Sequence, residues 1–173
     1  MVGGSWLNSD GLYVQYGTQK AVPEVAGDYL VYGDTREIEM TIDLTTLTTS
    51  PVVQSNTTFF PSNCFIESVQ VDTEVGATGG TSFSVGTMGM DRSTVSGTYS
   101  NTTFLSAAPI ADHTTAGQRK DYLVGVTGVG GGVGTSIAFT QGGAYLTALA
   151  AGTYTAGRVK VRIRYRGYGT ITQ

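Results

Sequence analysis

His113 is the only histidine and Cys64 the only cysteine of the chain, so a nucleophile activated by an imidazole would have to be built from these two residues. Neither is placed for it. His113 lies in Ala111-Asp112-His113-Thr114-Thr115, a polar stretch after Pro109 that predicts a surface loop. Cys64 precedes Phe65-Ile66, where a free thiol is expected to pack as a small apolar side chain. There is no Gly-x-Ser-x-Gly elbow and no His or Cys cluster at metal-ligand spacing. The glycine-rich residues 128–134 lack the Gly-Lys-Ser/Thr ending that cradles phosphate, and they predict a mobile loop. Glu37 and Glu39 stand at i, i+2, as neighbours on one strand face, and do not flank a bond to be cleaved. Asp91-Arg92 reads as turn chemistry. The inventory predicts no enzyme, no cofactor and no metal site.

What the charged residues do carry is pattern. In Arg158-Val159-Lys160-Val161-Arg162-Ile163-Arg164-Tyr165-Arg166 every second side chain is basic and the others are apolar or aromatic. Period-two alternation is that of a β-strand, with Val159, Val161, Ile163 and Tyr165 toward a core and the five cations on the opposite face. Cations in a row repel, so acids are expected beside them. Two stretches supply these. Residues 36–44 place Ile38, Met40, Ile42 and Leu44 on one face and Glu37, Glu39 and Asp43 on the other. Residues 65–75 place Val69, Val71 and Val75 inward and Ser68, Gln70, Asp72 and Glu74 outward. A basic strand between these two gains cross-strand pairs that fix register, and a stripe so neutralised is a poor surface for nucleic-acid phosphates.

The elements that hold these residues follow from spacing. Strand signals separated by turn signals recur over residues 36–44, 52–60, 65–75, 81–90, 98–106, 119–128, 135–148 and 158–167, with a possible break at Gly142-Gly143. Abundant glycine (25 residues) and clustered threonine fit sheets and turns, and no helical periodicity stands out. Eight antiparallel strands in residues 36–173 predict an all-β jelly-roll β-sandwich, in which the last strand lies between the first and the third. That order puts the basic strand between the two acidic ones.

Residues 1–35 differ. They hold Trp6, Tyr13, Tyr16, Tyr29 and Tyr32 in short runs bounded by glycine, which predicts an N-terminal arm, or a pair of edge strands, whose aromatics anchor on another surface. A sugar-stacking platform is the weaker alternative. The formal net charge of −3 favours no nucleic-acid partner, and no run of about 18 apolar residues is present to span a bilayer. The N-terminus lacks a basic, then apolar, signal pattern, so synthesis in the cytoplasm is expected.

Three stretches resemble structural proteins of tailed bacteriophages. The run from Phe59-Phe60-Pro61-Ser62-Asn63-Cys64 through Val71-Asp72-Thr73-Glu74-Val75 to Thr78-Gly79-Gly80-Thr81-Ser82-Phe83-Ser84-Val85-Gly86 is similar to their pattern of a proline-containing lead-in, a long strand, a Thr-Gly-Gly-Thr-hydrophobic turn and a strand ending in glycine. Asn8-Ser9-Asp10-Gly11-Leu12-Tyr13-Val14-Gln15-Tyr16-Gly17 and Thr155-Ala156-Gly157-Arg158-Val159-Lys160-Val161 resemble the same group. The resemblance implies a virion component, most specifically a capsid decoration or cement protein. On that basis its partners are the major capsid protein and two further copies of itself in a homotrimer, with no nucleic acid and no membrane, and its place is the capsid surface. A receptor- or carbohydrate-binding module of a phage tail or fibre is the alternative.

Overall fold

The structure is a computed structural model and describes residues 4–7, 13–16, 35–54, 59–89, 99–139 and 143–167. The chain divides into two compact units, Met1–Tyr32 and Gly33–Gln173. In the first, β1 (Gly4–Leu7) and β2 (Tyr13–Tyr16) form a two-stranded antiparallel sheet, with Gly4 opposite Tyr16 and Leu7 opposite Tyr13.

The second unit is an antiparallel sandwich of two sheets. Its strands are β3 (Thr35–Asp43), β4 (Val52–Val53), β5 (Phe59–Pro61), β6 (Cys64–Gly79), β7 (Ser82–Gly89), β8 (Tyr99–Pro109), β9 (Arg119–Tyr122), β10 (Ser136–Ile137), β11 (Gly143–Ala151) and β12 (Tyr154–Gly167). One sheet runs β3, β12, β6, with β9 and β10 both on the far edge of β6. The other runs β8, β7, β11, with β4 and β5 both on the far edge of β11. This is jelly-roll order: first, last, third and sixth in one layer, second, seventh, fourth and fifth in the other. Two positions are split. Residues 52–60 give β4 and β5 where one strand was predicted, and the break expected in residues 135–148 sends β10 to one sheet and β11 to the other. Regular strand in the sixth segment ends at Tyr122, well short of residue 128.

Alternation builds the core. Val159, Val161, Ile163 and Tyr165 of β12 are buried together with Ile42, Val69 and Val71 from the neighbouring strands. Phe83, Val85, Phe104, Leu105, Leu146, Ala148 and Ala150 meet them from the other sheet. Each large apolar side chain so buried stabilises the fold by about 1.5–3 kcal/mol. Phe60 fastens one end, its ring 4.9 Å from Phe104 and 4.8 Å from Tyr165. Val75 departs from the prediction. It is 41% exposed, because Arg158 pairs with Val75 and Val159 with Thr73, which leaves Glu74 as an extra residue and turns Val75 outward. Thr73 takes the buried position instead.

Two expectations about loops are overturned. Residues 128–134 lie pinned between the sheets: the amides of Gly130, Gly131 and Gly132 donate to the carbonyls of Phe104, Thr102 and Thr103 at 2.8, 3.0 and 2.8 Å, and Gly134 donates to Ile66 at 2.8 Å. Glycine is required there for room, since a Cβ on Gly130 would stand 2.4 Å from the Phe104 carbonyl carbon. His113 is fully buried, not on the surface. It closes a short 3-10 turn, Ile110–His113, that drops the ring onto the middle of β6. Thr73 Oγ1 lies 3.1 Å from its Nδ1 and the Tyr122 hydroxyl 2.8 Å from its Nε2, with Phe83 edge-on against the ring.

Candidate functional site

A dyad of Cys64 and His113, which the sequence already disfavours, has no geometry to support it. Cys64 starts β6 and His113 sits beside Thr73, nine residues further along a strand that rises about 3.3 Å per residue. The thiol donates to the Pro61 carbonyl at 3.3 Å, and burial pushes its pKa up to about 11. It is an inert packing group. Among the described residues no group of three or more His, Cys, Asp or Glu is arranged to hold a metal ion, and no helix is long and apolar enough to cross a membrane.

The charged residues instead form a lattice over the outer face of the β3–β12–β6–β9 sheet. Strand register dictates it. Arg164 lies opposite Glu37 and Ser68, Arg162 opposite Glu39 and Gln70, Lys160 opposite Thr41 and Asp72, and Arg158 opposite Asp43 and Val75. Arg162 stands at the centre, 2.8 Å from Glu39, 2.9 Å from Asp72 and 3.7 Å from Glu37, with Gln70 Oε1 at 3.4 Å. Lys160 reaches Glu39 at 3.2 Å and Glu74 at 3.6 Å. Arg158 holds Glu74 at 2.8 Å, and Arg164 holds Glu37 at 3.2 Å. Hydrogen bonds from Arg162 and Lys160 hold the Glu39 carboxyl below its ordinary value, and the bond to Glu39 raises the proton affinity of both cations.

Asp43 differs from the other acids. It faces Arg158 in the register, yet its carboxylate accepts from the Thr45 amide at 3.0 Å and the Thr45 hydroxyl at 2.6 Å, capping the turn Leu44–Thr46. Those two bonds lower its pKa, and Arg158 contributes only charge at a distance.

Two partners escaped the sequence pattern. Arg166 pairs with Glu67, and Arg119 with Asp72 at 2.6 Å. The Arg119 bond is the main cause of the lowered Asp72 pKa. Glu67 is the extra residue of a second bulge, where Tyr165 pairs with Ile66 and Arg164 with Ser68. The buried residues Ile66 and Val69 stand three apart in a run of period two, and that spacing was the available signal. The bulges at Glu67 and Glu74 each set a glutamate against an arginine of β12. A shallow concavity of about 220 Å³ lies over Ser68, lined by Glu37, Gln70, Asp121, Leu123, Arg162 and Arg164. Its cations already have acids beside them.

The second predicted site lies partly in view. Trp6 is on β1, and Tyr13 and Tyr16 are on β2, while Tyr29 and Tyr32 lie outside the described residues.

No protein-family model matches the chain. The search among curated proteins likewise gives no match. Among solved structures, the chain is similar to one in the capsid of Ralstonia phage GP4, with 16% identity over 87% of this chain and 91% of that one and a TM-score of 0.51. It is also similar to one in the cyanophage Pam1 capsid asymmetric unit, with 20% identity over 78% of this chain and 86% of that one and a TM-score of 0.46. The likeness is one of fold.

Proposed function

We propose that the protein is a non-enzymatic structural component of a bacteriophage virion that binds the outer surface of the assembled head and cements it. The observation that carries this reading is that the jelly-roll fold matches a chain of a phage capsid almost end to end on both sides. The charged face supports it from the side of chemistry. With Arg158, Lys160, Arg162, Arg164, Arg166 and Arg119 each against a carboxylate, the surface has little cationic excess to offer phosphates.

Cementing in this reading is geometric. A homotrimer sits where several copies of the major capsid protein meet, and each N-terminal segment adds a contact at high effective concentration, so weak single contacts sum to firm attachment. Trp6, Tyr13, Tyr16, Tyr29 and Tyr32 are its anchors, since aromatic side chains bring large contact area.

The test is binding of the purified protein to assembled shells, to free coat subunits and to a glycan panel, with light scattering on the free protein. Saturable binding to shells alone, and a trimer in solution or on the shell, is the expected result. Binding to glycans but not shells would replace this reading with the tail or fibre module, and a monomer in both settings would remove the trimer.

A further inference from the structure

Jelly rolls expose sheet edges, and the four edges of this one are treated unequally. The outer side of β8 is covered by residues 128–132 through the backbone bonds to Thr102, Thr103 and Phe104. The edges beyond β11 and β6 are broken into the short pieces β4, β5, β9 and β10. The edge at β3 is different. It is nine residues long, has no proline, and its ladder with β12 runs from Asp43–Arg158 to Thr35–Arg166 without a register shift. Among the described residues no strand lies on its other side. An unbroken edge of this kind presents backbone donors and acceptors ready for another strand.

Side chains specify what that strand would be. On the core side of β3, Ile38 and Met40 are only half-buried, although Ile42 in the same row is fully buried. On the outer side Glu37, Glu39, Thr41 and Asp43 are all exposed, the Glu37 and Glu39 side chains by 38% and 44% despite their ion pairs. β12, on the inner flank, meets this acidic row with Arg164, Arg162, Lys160 and Arg158. The same rule holds on the outer flank, where no described strand lies. A second copy of β3 would set acids beside acids, which cross-strand pairing disfavours.

We infer that β3 is a strand-addition site, and that its occupant is an extended segment of another polypeptide alternating basic and apolar side chains. The apolar set covers Ile38 and Met40, the basic set shares Glu37 and Glu39, and the main chain supplies the affinity. The inference stands whether or not the protein sits on a capsid.

Hydrogen exchange on the full chain tests it, with a synthetic peptide of residues 158–166 as the probe because that sequence has the required alternation. The control peptide has every Arg and Lys replaced by Glu. The expected result is exchange at β3 in the free protein, protection of β3 by the basic peptide that weakens with salt, and none by the acidic peptide. Thr41→Lys, an exposed position outside the ion pairs, should weaken the basic peptide roughly threefold through like-charge repulsion. Protection of β3 in the free protein, protection elsewhere instead, equal effects of both peptides, or an unchanged affinity in the Thr41→Lys variant would overturn it.

Discussion

His113 shows how one buried group couples stability to pH. Burial lowers its pKa from 6.5 to about 4, against the weaker opposing effect of Asp112, while Lys120 lowers it further. Asp112 and Lys120 pair with each other at 3.4 Å, and Thr73, Tyr122 and Phe83 complete the surroundings. The unfolded chain therefore binds the proton more tightly than the folded one. Stability is fully present above about pH 6.5, falls as pH drops toward 4, and has lost this contribution below it, on the order of 3 kcal/mol. Glu39, Asp43 and Asp72, whose pKa values are lowered in the fold, add losses only in the more acidic carboxylate range. Urea denaturation from pH 7 to 4 should show this decline in the native protein and a flatter course in His113→Gln, with both falling at lower pH.

Glycine at the residue scale yields a paired prediction. Gly130→Ala drives a methyl group into the backbone of Thr102, Thr103 and Phe104, all at 2.4–2.5 Å, where nothing flexible can yield. Gly131, its neighbour, has nothing within 4 Å of the same atom. The first substitution should cost about 2–3 kcal/mol and the second close to nothing, read from the shift in urea midpoint at constant slope. Equal effects would show that residues 128–134 do not pack between the sheets as described.

At the scale of elements, β12 was legible because both of its faces are constrained: one by burial, the other by charge. The flanking order followed from the signs together with the strand order of a jelly roll. What could not be read were positions where a third element decides. Val75 follows the alternation in sequence, but the bulge at Glu74 breaks it in space. His113 sits in a polar run, and only the turn that lowers it onto Thr73 buries it. Residues 128–134 look mobile in composition because glycine signals both freedom and lack of room. In the charge lattice, Asp43 faces Arg158 in the register and feels its charge, but the capping bond to Thr45 that holds its carboxylate has no signature in the strand pattern.

The lattice makes its own prediction at this scale. Arg162→Glu inserts an anion among Glu37, Glu39 and Asp72, whereas Arg164, the site of Arg164→Glu, pairs with Glu37 among the described residues and has a side chain 59% exposed. Thermal unfolding at low salt should fall by about 5 °C for the first and by about 1 °C for the second, with the gap narrowing in high salt as repulsion is screened. Equal shifts would mean that the pairs are incidental to the sheet's register.

For the whole molecule, the division between Met1–Tyr32 and Gly33–Gln173 separates a body from a segment. The described core residues from Ile42 to Tyr165 all belong to the second unit. Among the described residues the first unit has two strands of four residues each, and an isolated two-stranded sheet is marginal by itself. In the arm proposed above, ordering on a partner would cost roughly 1–2 kcal/mol per fixed backbone residue, which the aromatic anchors would have to offset. Deleting residues 1–32 is therefore expected to leave the thermal midpoint within about 3 °C of the full chain and to lower occupancy on assembled shells at least tenfold. The two readouts separate the ideas: a truncated protein that no longer folds assigns these residues to the sandwich, and unchanged occupancy on the shell moves the anchor to the body, with the outer edge of β3 as the next surface to block.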